Sequence, residues 1–136
     1  MGSIRVAHLC ANRYKLETRG HVVLTDAERA DTIEIGPTPV ELLVMAIVSS
    51  AACQAVRYVR EHGLAHEELR ADAVWSTEGD PPRVRRIELT FTPSIWLTRE
   101  EYLAMLQSVE AGTVMNTLRE PPVIDIAVPA RQPARD

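Results

Sequence analysis

The sequence predicts an α+β domain with a mainly antiparallel sheet. Segments in which apolar and polar residues alternate occur near both ends of the chain, and a long apolar segment with helical start and stop signals lies between them. Strands and helices follow one another in blocks rather than in strict alternation, which favours antiparallel pairing. The length of 136 residues fits one domain. We expect a single domain over residues 1–129 and a disordered tail over residues 130–136.

The first third of the chain predicts three strands and a loop. Residues 4–11 and 13–19 both alternate between apolar and polar side chains, as a half-buried strand does. Gly20 allows a turn, and residues 22–25 continue as a third strand. Residues 26–37 are charged and end in a Gly-Pro pair, which is typical of a surface loop.

The central segment predicts a long helix that starts at Thr38. Thr38 is a suitable N-cap, Pro39 fits the first helical position, and Glu41 completes a capping box. We expect this helix to run to His62 and to stop at Gly63. Its centre, LLVMAIVSSAACQAV, is apolar on every face. Such a helix must be surrounded by a sheet on one side and by another element or subunit on the other.

The second half of the chain predicts two more strands and a second capped helix. Alternation places strands over residues 70–76 and 86–91, separated by a Pro-Pro pair. Thr98 and Glu101 form another capping box, and Gly112 ends the helix that follows. The remaining segment predicts a helical turn over residues 114–118 and a last strand with three apolar residues on one face: Ile124, Ile126 and Val128.

Composition excludes several classes of protein and site. The net charge is −4 and no basic run is present, so we expect no nucleic-acid partner. The uncharged stretch over residues 42–56 is shorter than the about 20 residues that span a membrane, so we expect no membrane partner. Two cysteines without a CxxC motif predict no structural zinc, no disulfide framework and no cofactor. The N-terminus has no apolar signal core, and the chain is expected to be cytoplasmic.

Three stretches, in the right order, resemble one known family. The segment GPTPVELLVMAIVSSAACQAVRYVREHGL is similar to the central-helix signature of the osmotically inducible protein C and organic hydroperoxide resistance (OsmC/Ohr) family. DPPRVRRIELTFTP resembles the second long strand of that family, and AGTVMNTLREPPVIDIAV resembles its C-terminal helical turn and last strand. The resemblance covers residues 4–128. It implies an intertwined homodimer in which mainly antiparallel sheets wrap around two long central helices.

The resemblance also implies a chemistry, thiol-dependent reduction of organic hydroperoxides. In the family, a cysteine of the central helix attacks the peroxide and a second cysteine closes a disulfide. Counting eleven residues after Pro39, or thirteen before Gly63, places the first cysteine at Ser50. The family pattern C-x-V-x-x-x-L reads GTVMNTL here, so Gly112 takes the second position. Both cysteines are absent from their expected positions.

The polarising residues of the family are less clearly matched. The glutamate often follows the helix proline, where this chain has Val40, and Glu41 could replace it from the next position. Glu41 is already explained by the capping box. Arg13 is the nearest candidate for the polarising arginine of the first hairpin. It could bind an anionic or peroxide group, or it could be a solvated arginine on a strand.

Three functions remain open from the sequence. A divergent family member could bind a small apolar ligand in the interface pocket, an enzyme could reduce a hydroperoxide through Cys53, or the dimer could be purely structural or regulatory. A serine hydroxyl cannot be oxidised as a thiol is, so Ser50 is expected to bond back to a helix carbonyl instead. Cys53 and Cys10 are expected to be small buried core residues, and burial would make Cys53 unreactive.

Overall fold

The structure is a computed structural model that describes residues 1–27, 33–64, 69–93 and 96–128. It is an α+β fold with two antiparallel sheets, as predicted. The expected tail over residues 130–136 lies outside the described residues. The elements, in chain order, are β1 (Arg5–Cys10), β2 (Arg13–Thr18), β3 (His21–Thr25), α1 (Pro39–Glu61), β4 (Leu69–Glu78), β5 (Arg83–Pro93), α2 (Arg99–Glu110) and α3 (Thr113–Arg119).

Sheet A consists of β1, β2 and β3 in that order. Val6, Leu16 and Val23 lie side by side across its three strands, so they share one face, which we call the apolar face of sheet A. The opposite face carries an ion pair between Lys15 and Glu17 at 3.2 Å. Among the described residues, no strand of sheet A packs extensively against a helix or against the second sheet. Sheet A therefore projects as an arm from the rest of the chain.

Helix α1 has the ends that the sequence predicts. The Thr38 hydroxyl accepts from the backbone N–H of Glu41, and the Glu41 carboxylate accepts from the backbone N–H of Thr38. The helix ends at Glu61, one residue earlier than expected, and His62 is its C-cap. Gly63 follows with a left-handed φ of 64°, which a glycine adopts without strain.

The core lies on one side of α1. Sheet B, formed by β4 and β5, and helix α2 cover that side, and Leu89 and Phe91 of β5 pack against the buried cluster. The cluster consists of Ala51, Ala55, Tyr58, Val59, Met105 and Val109. The other side of α1 is exposed in the single chain, including Leu43 and Met45. Within the chain, sheet B supplies the expected cover on one side; no described element covers the second side, and its cover by another subunit stays a prediction.

The last predicted strand does not form. Residues 121–128 have no regular structure, and Ile124, Ile126 and Val128 are all at least three-quarters exposed. A strand needs the hydrogen-bonding edge of a neighbour, and in the described part of the chain no strand lies beside this segment. Its apolar alternation is typical of a strand, but the described residues supply no neighbour for it.

Helix α1 is also, by length and composition alone, sufficient to cross a membrane. This differs from the expectation drawn from the uncharged stretch, because the helix continues beyond that stretch at both ends. The core helix of a soluble protein passes the same test, so the observation is weak evidence for a span. On one side α1 packs against α2 and β4, and 22% of its most apolar part is buried within the chain.

Candidate active site and apolar groove

The two positions that resemble the family's cysteines lie next to each other. A Cβ atom placed on Gly112 would be 3.5 Å from the Ser50 hydroxyl oxygen and 3.1 Å from Cγ of Gln54. Gly112 is buried and has a φ of −64° and a ψ of 150°, a backbone conformation open to any residue. Ser50 and Gly112, the two positions located from the family's spacing, are thus brought together by α1 and the start of α3.

The Ser50 hydroxyl does not bond back to a helix carbonyl as expected. Within the described residues it has no hydrogen-bond partner, whereas the neighbouring Ser49 hydroxyl donates to the carbonyl of Ala46 at 3.2 Å. Ser50 is half-buried beside Gln54, one helical turn further on. The two side chains nearest to Gly112, those of Ser50 and Gln54, therefore carry a hydroxyl and an amide group and no thiol.

An apolar groove of about 500 Å³ runs between α1 and β4. Most of its lining is aliphatic or aromatic, and Glu41 and Ser49 supply the polar atoms. The lining residues are Glu41, Val44, Met45, Val48, Ser49, Ala52, Ala71, Ala73 and Trp75. The β4 side of this groove was not predicted from the sequence. The signal was present, because Ala71, Ala73 and Trp75 alternate with polar residues on one face of the strand.

Glu41 takes part in the N-terminal cap of α1 and also lines one end of the groove. Its Oε2 atom accepts from the backbone N–H of Thr38 at 2.7 Å, and its own N–H donates to the Thr38 hydroxyl at 3.2 Å. The preceding residue, Val40, is exposed at the start of the helix and does not line the groove. Of the positions carried over from the family, Glu41 alone lines the groove, and Ser50 and Gly112 lie outside its lining.

Arg13 is held by the segment that follows β3. Its Nε atom donates to Oδ2 of Asp26 at 3.0 Å, and Nη2 donates to the Ile33 carbonyl at 2.7 Å. Asp26 is buried. Burial alone would raise the pKa of Asp26, but hydrogen bonds from the backbone of Ala27, from Arg13 and from the backbone of Ile35, with the Arg13 charge, lower it below its ordinary value. Within its own chain, the Arg13 side chain is therefore paired with Asp26. A role for Arg13 in a ligand pocket stays a prediction.

The family model for OsmC-like proteins matches residues 29–127 of this chain. The chain belongs to the OsmC-like protein family. It has the fold of an OsmC-like protein from Mycoplasma pneumoniae, with a TM-score of 0.77, 15% identity and 89% of each chain covered. A protein of Psychrobacter arcticus, provisionally described as an osmotic stress induced and detoxification response protein, has a TM-score of 0.75 and 17% identity over 86% of this chain and 88% of that one.

A third similar structure is an OsmC-like protein of unknown function from Vibrio cholerae, with a TM-score of 0.67 and 14% identity over 86% of this chain and 92% of that one. These likenesses establish the fold. A comparison with curated proteins found no match.

Cys53 of this OsmC-like protein is exposed, so the expectation of a buried thiol is wrong for the single chain. It lies on the uncovered side of α1 and lines a groove of about 560 Å³ together with Arg57 and Arg60. Arg57 is already paired with Glu61 at 2.7 Å. Cys10, also expected in the core, is exposed at the end of β1, because none of the described elements packs extensively on sheet A.

Among the described residues, no group of three or more His, Cys, Asp and Glu side chains is arranged to hold a metal ion.

Proposed function

We propose that this OsmC-like protein is a divergent member of its family that has lost the usual two-cysteine peroxidase reaction and binds a small apolar ligand. The observation that supports the proposal is the contact between Ser50 and Gly112. The two positions are close enough for an attacking and a resolving thiol, yet one carries a hydroxyl and the other has no side chain. A serine cannot form a sulfenic acid, so neither half of that reaction is available at this place.

The groove between α1 and β4 is the proposed ligand site. Its volume is within the range of small-molecule pockets, and its lining is mainly apolar with few polar groups, as such pockets are. The Glu41 carboxylate at one end disfavours a ligand whose anionic group would lie beside it. We therefore expect an uncharged apolar ligand to bind better than the matching carboxylic acid.

A fluorescent apolar amine, N-phenyl-1-naphthylamine, tests the groove. Ala73→Trp places a large ring in the groove and should weaken probe binding at least about tenfold, a loss of about 1.4 kcal/mol. Val74→Trp is the matched control, because Val74 is the next residue of β4 and points to the opposite, exposed face. Equal probe affinity in wild type and Ala73→Trp would contradict a ligand site in this groove.

We also propose that the protein is a homodimer. The exposed side of α1, the apolar face of sheet A and residues 121–128 together present more apolar surface than a soluble monomer usually exposes. A second copy of the chain would cover these surfaces and supply the missing strand neighbour. Analytical ultracentrifugation should find a dimer at low micromolar concentration, and a folded monomer under those conditions would contradict the proposal.

A single-cysteine hydroperoxide reductase is the second candidate, favoured by the position of Cys53 in one groove with Arg57 and Arg60. The Cys53 thiolate would attack the outer oxygen of an organic hydroperoxide, release the alcohol and become a sulfenic acid. An external dithiol would then restore the thiol, forming water and its own disulfide. Either candidate is consistent with a stress-related role, and a cytoplasmic location is part of the proposal.

Peroxide consumption with a dithiol reductant separates the two candidates. The ligand-binding proposal expects no turnover above the protein-free rate, with cumene hydroperoxide as substrate. Turnover that is lost in Cys53→Ser and kept in the control Cys10→Ser would establish the reductase instead. The pH dependence of iodoacetamide alkylation gives independent evidence, because an inflection at Cys53 below about pH 7 indicates an activated thiolate.

A further inference from the structure

A buried carboxylate lies where sheet A meets the segment that leads to α1. Asp26 follows β3, and its side chain is 4% exposed. Its two oxygens accept three hydrogen bonds, from the Ala27 backbone at 2.8 Å, from Arg13 at 3.0 Å and from the Ile35 backbone at 3.3 Å. Arg13 continues the network by donating to the Ile33 carbonyl. One arginine of β2 and one aspartate after β3 thus bind the backbone of residues 33–35.

Backbone contacts close the same junction. The Asp26 N–H donates to the Pro37 carbonyl at 3.2 Å. Gly36 lies directly on the Leu24 carbonyl of β3, so close that a Cβ atom there would overlap the carbonyl oxygen. We call this group, formed by the Arg13 and Asp26 side chains and the backbone of residues 33–37, the clasp.

The clasp is important because sheet A has little other support. Among the described residues, its strands make no extensive contact with the helices or with sheet B. The link from β3 to α1 therefore determines where sheet A lies. The exposed ion pair between Lys15 and Glu17 joins two residues of the same strand, so it cannot fix the sheet relative to α1.

We infer that the clasp holds sheet A in one position relative to α1 and so presents the apolar face of sheet A for contact with a second copy. The part of this inference that concerns the second copy rests on the proposed homodimer. The part that concerns the position of sheet A does not. When the clasp opens, the strands of sheet A stay paired with one another, while the sheet as a whole becomes free to change its direction.

A distance measurement tests the position of sheet A directly. Spin labels are attached to Cys10, on β1, and to a cysteine introduced by Gln107→Cys on α2, in a Cys53→Ser background. The labelled chain is refolded with a tenfold excess of an unlabelled Cys10→Ser, Cys53→Ser chain, so that the distances measured by double electron–electron resonance lie within one chain. We expect a narrow distribution with Asp26 present and a distribution at least about twice as broad for Asp26→Asn.

Asp26→Asn keeps the size of the side chain but removes the charge and turns an amide N–H₂ or a single oxygen toward Arg13. Glu17→Gln is the matched control, because it breaks an ion pair of the same sheet that lies outside the clasp. Its distribution should be as narrow as that of the reference protein. An Asp26→Asn distribution indistinguishable from the control would overturn the inference.

Hydrogen exchange supplies a second readout that does not depend on self-association. The Ile35 amide, which donates to Asp26, should exchange at least about tenfold faster in Asp26→Asn. Amides of the β2–β3 ladder should keep their protection, which shows that the sheet itself is folded. If Asp26→Asn does not fold, Arg13→Gln provides the same comparison with the carboxylate retained. Unchanged Ile35 exchange in the folded variant would contradict the clasp.

Sedimentation of the same variants tests whether the clasp affects association with a second copy of the chain. A dimer that dissociates at least about tenfold more readily in Asp26→Asn than in Glu17→Gln supports the presentation of the apolar face. Equal dimer dissociation in Asp26→Asn and Glu17→Gln would show that the clasp positions sheet A without affecting dimer formation. The part of the inference that concerns the second copy would then be overturned. A wild-type monomer would contradict the homodimer alone, since the distance and exchange results stand without it.

Discussion

Restoring both thiols at positions 50 and 112 should create a disulfide without moving the backbone. In the double variant Ser50→Cys, Gly112→Cys, the new Cβ at position 112 lies 3.5 Å from the present Ser50 oxygen, which is the neighbourhood in which bonded cysteines meet. The backbone at position 112 accepts any residue, so no strain arises from φ and ψ. The one crowded contact is Gln54, whose Cγ atom must move by a few tenths of an ångström.

The size of the effect follows from the loop that the bond closes. A disulfide across a loop of roughly 60 residues stabilises a protein by about 4 kcal/mol in the chain-entropy treatment, before any strain is subtracted. The displacement of Gln54 reduces this value. We expect a net stabilisation of about 2–4 kcal/mol for the oxidised over the reduced double variant, measured as the difference in free energy of unfolding in urea.

The oxidation products of the cysteine variants should depend on which thiols lie close together. Ser50→Cys alone returns an attacking thiol without a resolving partner, so excess cumene hydroperoxide (two or more equivalents) should first form the sulfenic acid and then the sulfinic acid, seen as a gain of two oxygens by mass spectrometry. The double variant should instead lose two hydrogens and gain no oxygen. Its peroxide turnover with a dithiol should exceed that of either single variant.

The control places the thiol one residue earlier. Ser49→Cys, Gly112→Cys has the same composition, but the side chain at position 49 points elsewhere around α1, where the Ser49 hydroxyl now contacts the Ala46 carbonyl. This pair should not form the bond. If the Ser50→Cys, Gly112→Cys variant over-oxidises as readily as the single variant, or if both pairs form the bond equally well, the assignment of these two positions is wrong.

Further predictions concern stability and are read from the urea midpoint. Gly36→Ala should destabilise the protein by at least about 1 kcal/mol, because the new methyl group overlaps the Leu24 carbonyl; an unchanged midpoint would show that the junction relaxes freely. Thr38→Ala removes a hydrogen-bonded N-cap of α1 and should cost about 1 kcal/mol, whereas Thr38→Ser should cost less. Met105→Ala empties a fully buried site and should cost about 2–5 kcal/mol, and a smaller loss would indicate that α2 collapses into the space. Because Asp26 has a lowered pKa when folded, its contribution is complete above the ordinary pKa of about 3.9 and is lost as the pH falls through the folded value, so wild type should lose stability on acidification more steeply than Asp26→Asn.

Local signals in the sequence identified most of the elements. Both capping boxes form with the predicted partners, because a Thr and a Glu three residues apart satisfy each other whatever surrounds them. The count from Pro39 and Gly63 led to Ser50, and the C-terminal pattern led to Gly112, which α1 and α3 do bring together. The capping boxes depend on nearby residues, which a sequence shows directly, whereas positions 50 and 112 were located from the family resemblance.

Features that depend on distant residues were missed. The pairing of Arg13 with Asp26 joins a residue of β2 to the residue that follows β3, and nothing in the spacing of the chain selects this partner over solvent. Cys53 lies in an apolar helix, yet apolar character did not lead to burial, because none of the described elements covers that side of α1. The strand expected at Ile124 and Ile126 failed for the same reason, since alternation shows that a segment can pair but not where its partner is.

The segment over residues 121–128 has a consequence for the solubility of the chain. VIDIAV is a short run of β-branched and small apolar residues with a single charge, a composition that favours stacking of identical strands into aggregates. Two features oppose that outcome: Pro121 and Pro122 stand at its start, where they cannot donate to a ladder, and Asp125 interrupts it with a negative charge. Asp125→Ala removes this charge and should shift expression from the soluble to the insoluble fraction, while the residues that line the proposed ligand groove are unchanged.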